Sequence, residues 1–104
     1  MAKVSARGEH ELGRWQKEGQ DDHGRFRTTA VLRSDGAVLR KDQVWFVGCD
    51  GRGDWIGGSY GICPKWRLAN SPAEWRRLTD EERARRQALL RAFMARHGFE
   101  ELRR

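Results

Sequence analysis

Large apolar residues are scattered through the first part of the chain without a helical period, then recur at three- and four-residue steps toward its end. In 9–17 the two large apolar residues, Leu12 and Trp15, suit one helical turn, but Gly13 between them predicts a first strand instead. The polar stretch 18–24, with Gly19 and Gly24, predicts a loop. Strand-like runs at 25–33 and 37–41 flank Ser34-Asp35-Gly36, and Asp-Gly between such runs is the preferred type I′ hairpin turn because both central residues need positive φ. That turn sets Leu32 opposite Leu39, with Phe26, Thr28 and Ala30 on the same face by the period of two. The other face carries Arg25, Arg27, Thr29, Val31 and Arg33, joined across the turn by Val38 and Arg40. A one-residue change in the loop would take Arg40 off this face and leave Arg25, Arg27 and Arg33 together. Val44-Trp45-Phe46-Val47 has large apolar side chains on both faces, which predicts a strand buried on both sides or one lying in the middle of the sheet and makes it the candidate core. Gly48-Cys49-Asp50-Gly51-Arg52-Gly53-Asp54 reads as a loop, and the strand expected at 55–63 is interrupted by Gly57, Gly58 and Gly61, so a bulged or bent edge is expected there.

After Pro64 the pattern turns helical. Ser71-Pro72-Ala73-Glu74 predicts a helix start, with Ser71 capping, Pro72 in the first turn and Glu74 closing a capping box; Thr79 and Glu82 repeat the signature. The spacing predicts helices near 72–78 and 80–97, separate or continuous, ended by Gly98 as a left-handed residue with Phe99 folding back on Phe93 or Met94. Leu89, Leu90, Phe93, Met94 and His97 cluster on the side expected to pack on the sheet; Ala84, Ala88, Ala92 and Ala95 lie opposite, flanked by Arg85, Arg91 and Arg96. The fold class that follows is α+β, an antiparallel β-meander of four or five strands with a C-terminal α-helix packed on it. One domain over 1–104 is expected, β-rich over about 9–63 and helical over about 71–98, since 104 residues have room for one core.

The longest apolar runs, 44–47 and 92–95, fall far short of the roughly 20 residues needed to cross a bilayer, so no membrane contact is expected. The opening residues carry no apolar stretch of the secretory kind, which predicts a cytoplasmic protein. Charge sharpens the picture: net charge is +6, and 64–104 carry 11 basic against 6 acidic residues where 1–63 carry 10 against 9. Of the 21 basic residues 17 are Arg, whose planar fork suits phosphate and carboxylate. Cys49 and Cys63 form no close pair of the zinc-binding kind; free thiols are expected, and a disulfide would need neighbouring strands.

Two constellations could carry function. The C-terminal helix holds five arginines and no acid between Arg83 and Arg96, a concentrated positive potential for a phosphate backbone. Asp80, Glu81 and Glu82 can pair with Arg83, Arg85 and Arg86, whereas Arg91 and Arg96 have no acid four residues before them and are the stronger candidates. The hairpin face of Arg25, Arg27, Arg33 and Arg40 is the second, although it lacks the aromatic residues that single-strand binders stack on bases. Five tryptophans suit a small core, with Trp55, beside the glycine-rich loop, and Trp66, between Lys65 and Arg67, expected at the surface as binding anchors. Arg52-Gly53-Asp54 reads as turn chemistry. His10-Glu11, His23 with Asp21 and Asp22, and Cys49-Asp50 lack the spacing of a triad, metal site or phosphate loop. No catalytic residue, metal or cofactor is expected, and the chain reads as a binding protein rather than an enzyme.

Ser5-Ala6-Arg7-Gly8 leading to His10-Glu11 and Arg14-Trp15, followed by Leu32-Arg33-Ser34-Asp35-Gly36-Ala37-Val38-Leu39-Arg40-Lys41, resembles the small basic orphan proteins encoded by actinobacterial phages and mobile elements. The resemblance covers roughly the first 40 residues and implies a phage-like accessory role, handling nucleic acid or binding a host protein. Two functions stand from the sequence. One is nucleic-acid binding through the Arg-rich helix and the hairpin face, at Arg25, Arg27, Arg33, Arg40, Arg85, Arg91 and Arg96. The alternative is an effector that modulates an acidic host protein, with Trp55 and Trp66 as anchors.

Overall fold

Alternation of side chains along 11–47 produces three long strands that pair in sequence order. The computed structural model describes residues 11–102, so the beginning of the expected first strand and the resemblance residues before Glu11 lie outside it. Strands β1 (Glu11–Asp21), β2 (Gly24–Arg33), β3 (Val38–Val47) and β4 (Gly53–Ile56) form an antiparallel meander. Strand β5 (Gly61–Ile62) also pairs with β3, beyond β4, so 53–62 is a bent edge interrupted at its glycines, as expected. Helices α1 (Pro72–Arg77) and α2 (Asp80–Arg96) follow, and a short β6 (Glu100–Glu101) returns beside β1, giving the order β4-β3-β2-β1-β6. The fold is α+β, a meander with the C-terminal helix on one face.

Three local expectations are corrected. The loop at 18–24 shrinks to a turn at Asp22 and His23, because β1 stays paired with β2 until Asp21 faces Gly24. Gly19 makes the pairing possible: a Cβ there would lie 2.5 Å from Cζ of Phe26, whose ring crosses it. The β2–β3 turn is not type I′, since among the described residues only glycines have positive φ, Gly36 at 86° and not Asp35. Arg33 N–H donates to Ala37 O at 2.9 Å and the Asp35 carboxylate accepts from Ala37 N–H at 3.1 Å, which closes a three-residue loop with a left-handed glycine. The register moves by one: Leu32 faces Val38, not Leu39, and Ala30 faces Arg40. Arg40 thereby leaves the Arg25 and Arg27 face, and Lys41, Gln43 and Trp45 join it.

The core lies toward the Ser34 end of the sheet. Trp15, Ala30, Leu32 and Val38 pack against Leu90 and Met94 of α2, with Trp66, Leu68, Phe93 and Phe99 around them. Trp75 of α1 is buried over Gly36 and donates its indole N–H to Ser34 O at 2.9 Å. The expected core segment 44–47 is not in it: Val44, Phe46 and Val47 are 52%, 55% and 55% exposed. As the pattern requires, β3 has partners on both edges, but the second layer stops short of its far half.

The helical part follows its capping chemistry. Thr79 and Glu82 form the expected capping box. Ser71 caps α1, but the Glu74 carboxylate accepts from Asn70 N–H at 2.8 Å, one residue before the cap, so that box is not formed. At the other end of α2, Gly98 is left-handed, and Phe99 N–H donates to Met94 O and Gly98 N–H to Ala95 O. Leu90 and Met94 form the buried seam, whereas Leu89 is 65% exposed and His97 lies at the surface against Phe93, so the packed stripe is narrower than expected. Among the described residues no helix is long and apolar enough to cross a membrane.

Candidate nucleic-acid interface

The register leaves two unlike sheet faces. Leu32, Ala30, Thr28 and Phe26 of β2 share theirs with Val38, Arg40, Asp42 and Val44 of β3, and this is the face that α2 covers at its Ser34 end. The opposite face presents Arg14, Gln16 and Glu18 from β1, Arg25, Arg27, Thr29 and Val31 from β2, and Leu39, Lys41, Gln43 and Trp45 from β3. Trp45 pairs across to Trp55 of β4, adding a second indole.

At the end of this face away from α2, arginine and tryptophan interleave. The two indoles meet edge to face at 5.3 Å. The Arg25 guanidinium lies 4.9 Å from the Trp45 ring centre and 5.4 Å from that of Trp55, and Arg27 lies 4.5 Å from Trp55. Gly53 makes the site: a Cβ there would stand 2.2 Å from Cζ2 of Trp45, so only glycine lets the indole lie along β4. Arg27 is held by the Gln43 amide oxygen at 2.8 Å, a neutral partner, and Arg25 meets Glu18 at 3.6 Å with both side chains half exposed. Neither guanidinium is deeply engaged by a carboxylate. The Asp54 carboxylate accepts Trp55 N–H at 2.8 Å, occupying a donor on the edge strand.

Tyr60 extends the surface. Its hydroxyl accepts from Arg14 at 3.0 Å on β1 and its ring centre is 4.6 Å from Nζ of Lys41 on β3, so it bridges over β2, where Thr29 and Val31 are buried. Gly58 permits that course: φ is +79° and a Cβ would clash with Asp42 O at 2.1 Å. The Arg14 pKa is raised further above its ordinary value, first by the hydrogen bond to Glu11 and then by Tyr60, against partial burial, so Arg14 is a fixed cation here.

Of the residues marked by sequence, Arg25, Arg27 and Trp55 come together, with Trp55 half-buried rather than free. Arg33 sits eight residues along β2 from Arg25, roughly 26 Å at about 3.3 Å per residue, and pairs with Asp35 at 2.5 Å. Arg40 is on the α2 side, paired with Asp42 at 3.0 Å and 5.2 Å from the Trp66 ring centre; Trp66 is half-buried against Phe93 and Phe99. Arg85 meets Glu81 at 3.6 Å. Arg91 is not free as its helix neighbours suggested: Glu101 of β6 pairs with it at 3.1 Å. Arg96 makes no ion pair among the described residues. The helix arginines are thus largely neutralised, and α2 lies on the opposite face of the sheet from Arg25 and Arg27, so the two basic constellations do not form one surface. Cys49 and Cys63 are free thiols, exposed and half-buried.

Sequence reasoning missed Trp45, Lys41 and Tyr60. The signal for Trp45 was there, since it shares parity with Lys41 and Gln43, but only the turn geometry sets that parity against Arg25. Compared with known proteins, the chain matches no family, no curated sequence and no solved structure.

Proposed function

We propose that the protein binds single-stranded nucleic acid across the sheet face opposite α2, stacking bases on Trp45 and Trp55 and drawing phosphates to Arg25, Arg27 and Lys41. The observation that carries this reading is the interleaving of two tryptophans with two arginines at 4.5–5.4 Å. An exposed cation–π contact is worth about 0.5–1 kcal/mol, and a base on an aromatic platform about 1–3 kcal/mol. An incoming base therefore displaces the guanidinium from the ring, and the freed arginine turns to the adjacent phosphate. A duplex hides its base faces, and a broad sheet does not enter the major groove as a helix or two-stranded ribbon does, so single strands are favoured. The reading needs no chemistry from the protein, only binding. It suits an accessory role of the phage-like kind and a cytoplasmic setting, where the exposed Cys49 stays reduced.

The test is fluorescence anisotropy with labelled single-stranded DNA, RNA and duplex DNA. Saturable single-strand binding is expected, weaker by roughly twentyfold at about 200 mM salt than at about 50 mM, since three phosphate contacts contribute about 0.7 each to the log–log slope. Tryptophan emission should be quenched in parallel. Absence of single-strand binding at the lower salt, or unchanged binding by Trp55→Ala, overturns the reading.

A further inference from the structure

Segment 63–70 connects β5 to α1 across the Ser34 end of the sheet. Cys63 N–H donates to Val38 O at 2.8 Å, Leu68 N–H to Gly36 O at 3.0 Å, and Arg86 of α2 donates to Leu68 O at 2.6 Å. Between this segment and α2 opens a groove of about 380 Å³, within the range of roughly 300–1,000 Å³ typical of ligand sites. Buried Leu90 lies at its base, with Phe93, Trp66 and Leu89 around it. Leu89, 65% exposed, is the most exposed large apolar side chain among the described residues.

The rim is basic. Lys65 and Arg67 line the groove, are exposed, and make no ion pair among the described residues; Arg86 approaches Glu74 only at 3.7 Å. An exposed leucine in an apolar groove bordered by three cations is complementary to an apolar side chain flanked by carboxylates. It is poorly suited to a base, because Trp66 is met edge-on by Phe93 and Phe99 and covered by Arg40. A second copy would bring the same cations against cations, which like-charge repulsion disfavours.

We infer that this groove docks an acidic peptide segment of a partner protein, a large apolar side chain packing on Leu89 and Phe93 while neighbouring carboxylates pair with Lys65, Arg67 and Arg86. The site is on the α2 side of the sheet and is independent of the Trp45 and Trp55 surface, so the protein has two faces for two kinds of partner.

The intact protein is titrated with a short fluorescein-labelled peptide of glutamates around leucine and phenylalanine, and with its lysine-for-glutamate counterpart. Saturable binding of the acidic peptide alone is expected, with affinity falling about tenfold or more for Leu89→Ser and for the pair Lys65→Glu and Arg67→Glu. Leu89→Ser should leave oligonucleotide binding unchanged, so this inference and the nucleic-acid reading fail separately. The inference is overturned if the acidic peptide does not bind, if the lysine peptide binds equally, or if Leu89→Ser has no effect. It is likewise overturned if Leu89→Ser abolishes a concentration-dependent dimer, which would assign the groove to a second copy.

Discussion

On one face of the sheet, Leu32 and Val38 at the Ser34 end are 1% and 0% exposed beneath α2, while Val44 and Phe46, six and eight residues along the same strand face from Val38, are 52% and 55% exposed. Both ends are strongly apolar and both lie within the paired part of the sheet, so neither hydrophobicity nor strand pairing separates them. The difference is a second layer. Helices α1 and α2 and segment 63–70 reach the first end and not the other, which leaves Val44, Phe46 and Ile56 bare on that face; the arginine–tryptophan surface lies on the reverse of the same uncovered end.

The sharpest test of this contrast is a pair of truncations read by urea denaturation. Leu32→Ala should cost about 2–5 kcal/mol, the range for emptying a packed site, whereas Phe46→Ala should cost under about 1 kcal/mol because its side chain already meets water. Equal costs would mean that the far end is covered too. Next in size, Trp55→Ala should weaken single-strand binding by about 1–3 kcal/mol while changing the salt slope little; Arg27→Gln should lower that slope by about 0.7. Arg91→Gln should leave binding nearly unchanged, since Glu101 already holds that guanidinium.

Two smaller effects probe the covered end. Gly36→Ala should cost more than about 1 kcal/mol, because φ is +86° and a Cβ would press on Cδ2 of Trp75 at 2.7 Å. Gly51→Ala, with φ +82° and nothing within 4 Å, should suffer only the backbone penalty and therefore less. The smallest effect is pH-dependent. The Thr79 N–H and hydroxyl hold the Glu82 carboxyl below its usual pKa, so the stability it contributes is present above the unfolded-state pKa and lost as pH falls through the lowered value. Thermal midpoints across the acid range should show Glu82→Gln with a flatter decline than the parent; an identical decline would remove the capping box from the account.

Much of the architecture was legible in the chain because it rests on local chemistry. Gly98, Ser71, Thr79 and Glu82 mark helix ends through hydrogen bonds within a few residues, and the glycines at 57, 58 and 61 announced the bent edge. The candidate site was half legible. Arg25 and Arg27 share a face by the period of two whatever lies beside them, but their neighbours depended on one residue of turn geometry. Asp35-Gly36 is compatible with a two-residue or a three-residue loop; Asp35 capping Ala37 N–H and Trp75 lying on Gly36 accompany the longer one, and that choice exchanged Arg40 for Lys41 and brought in Trp45.

By itself the sequence determined the α+β class, the helix limits and the pairing of Arg83 with Asp80 and of Arg85 with Glu81 on α2, since each depends on interactions spanning a few residues; the expected Glu82–Arg86 pair gave way to Glu74 of α1. Tertiary structure alone decided which apolar strand became core, that Arg91 would be neutralised from β6, and that Arg25 and Arg27 would lie on the sheet face opposite α2 while Arg40 lies on the α2 side. The physical reason is range: periodicity says which side chains share a face, but burial and charge pairing depend on what the rest of the chain lays over that face.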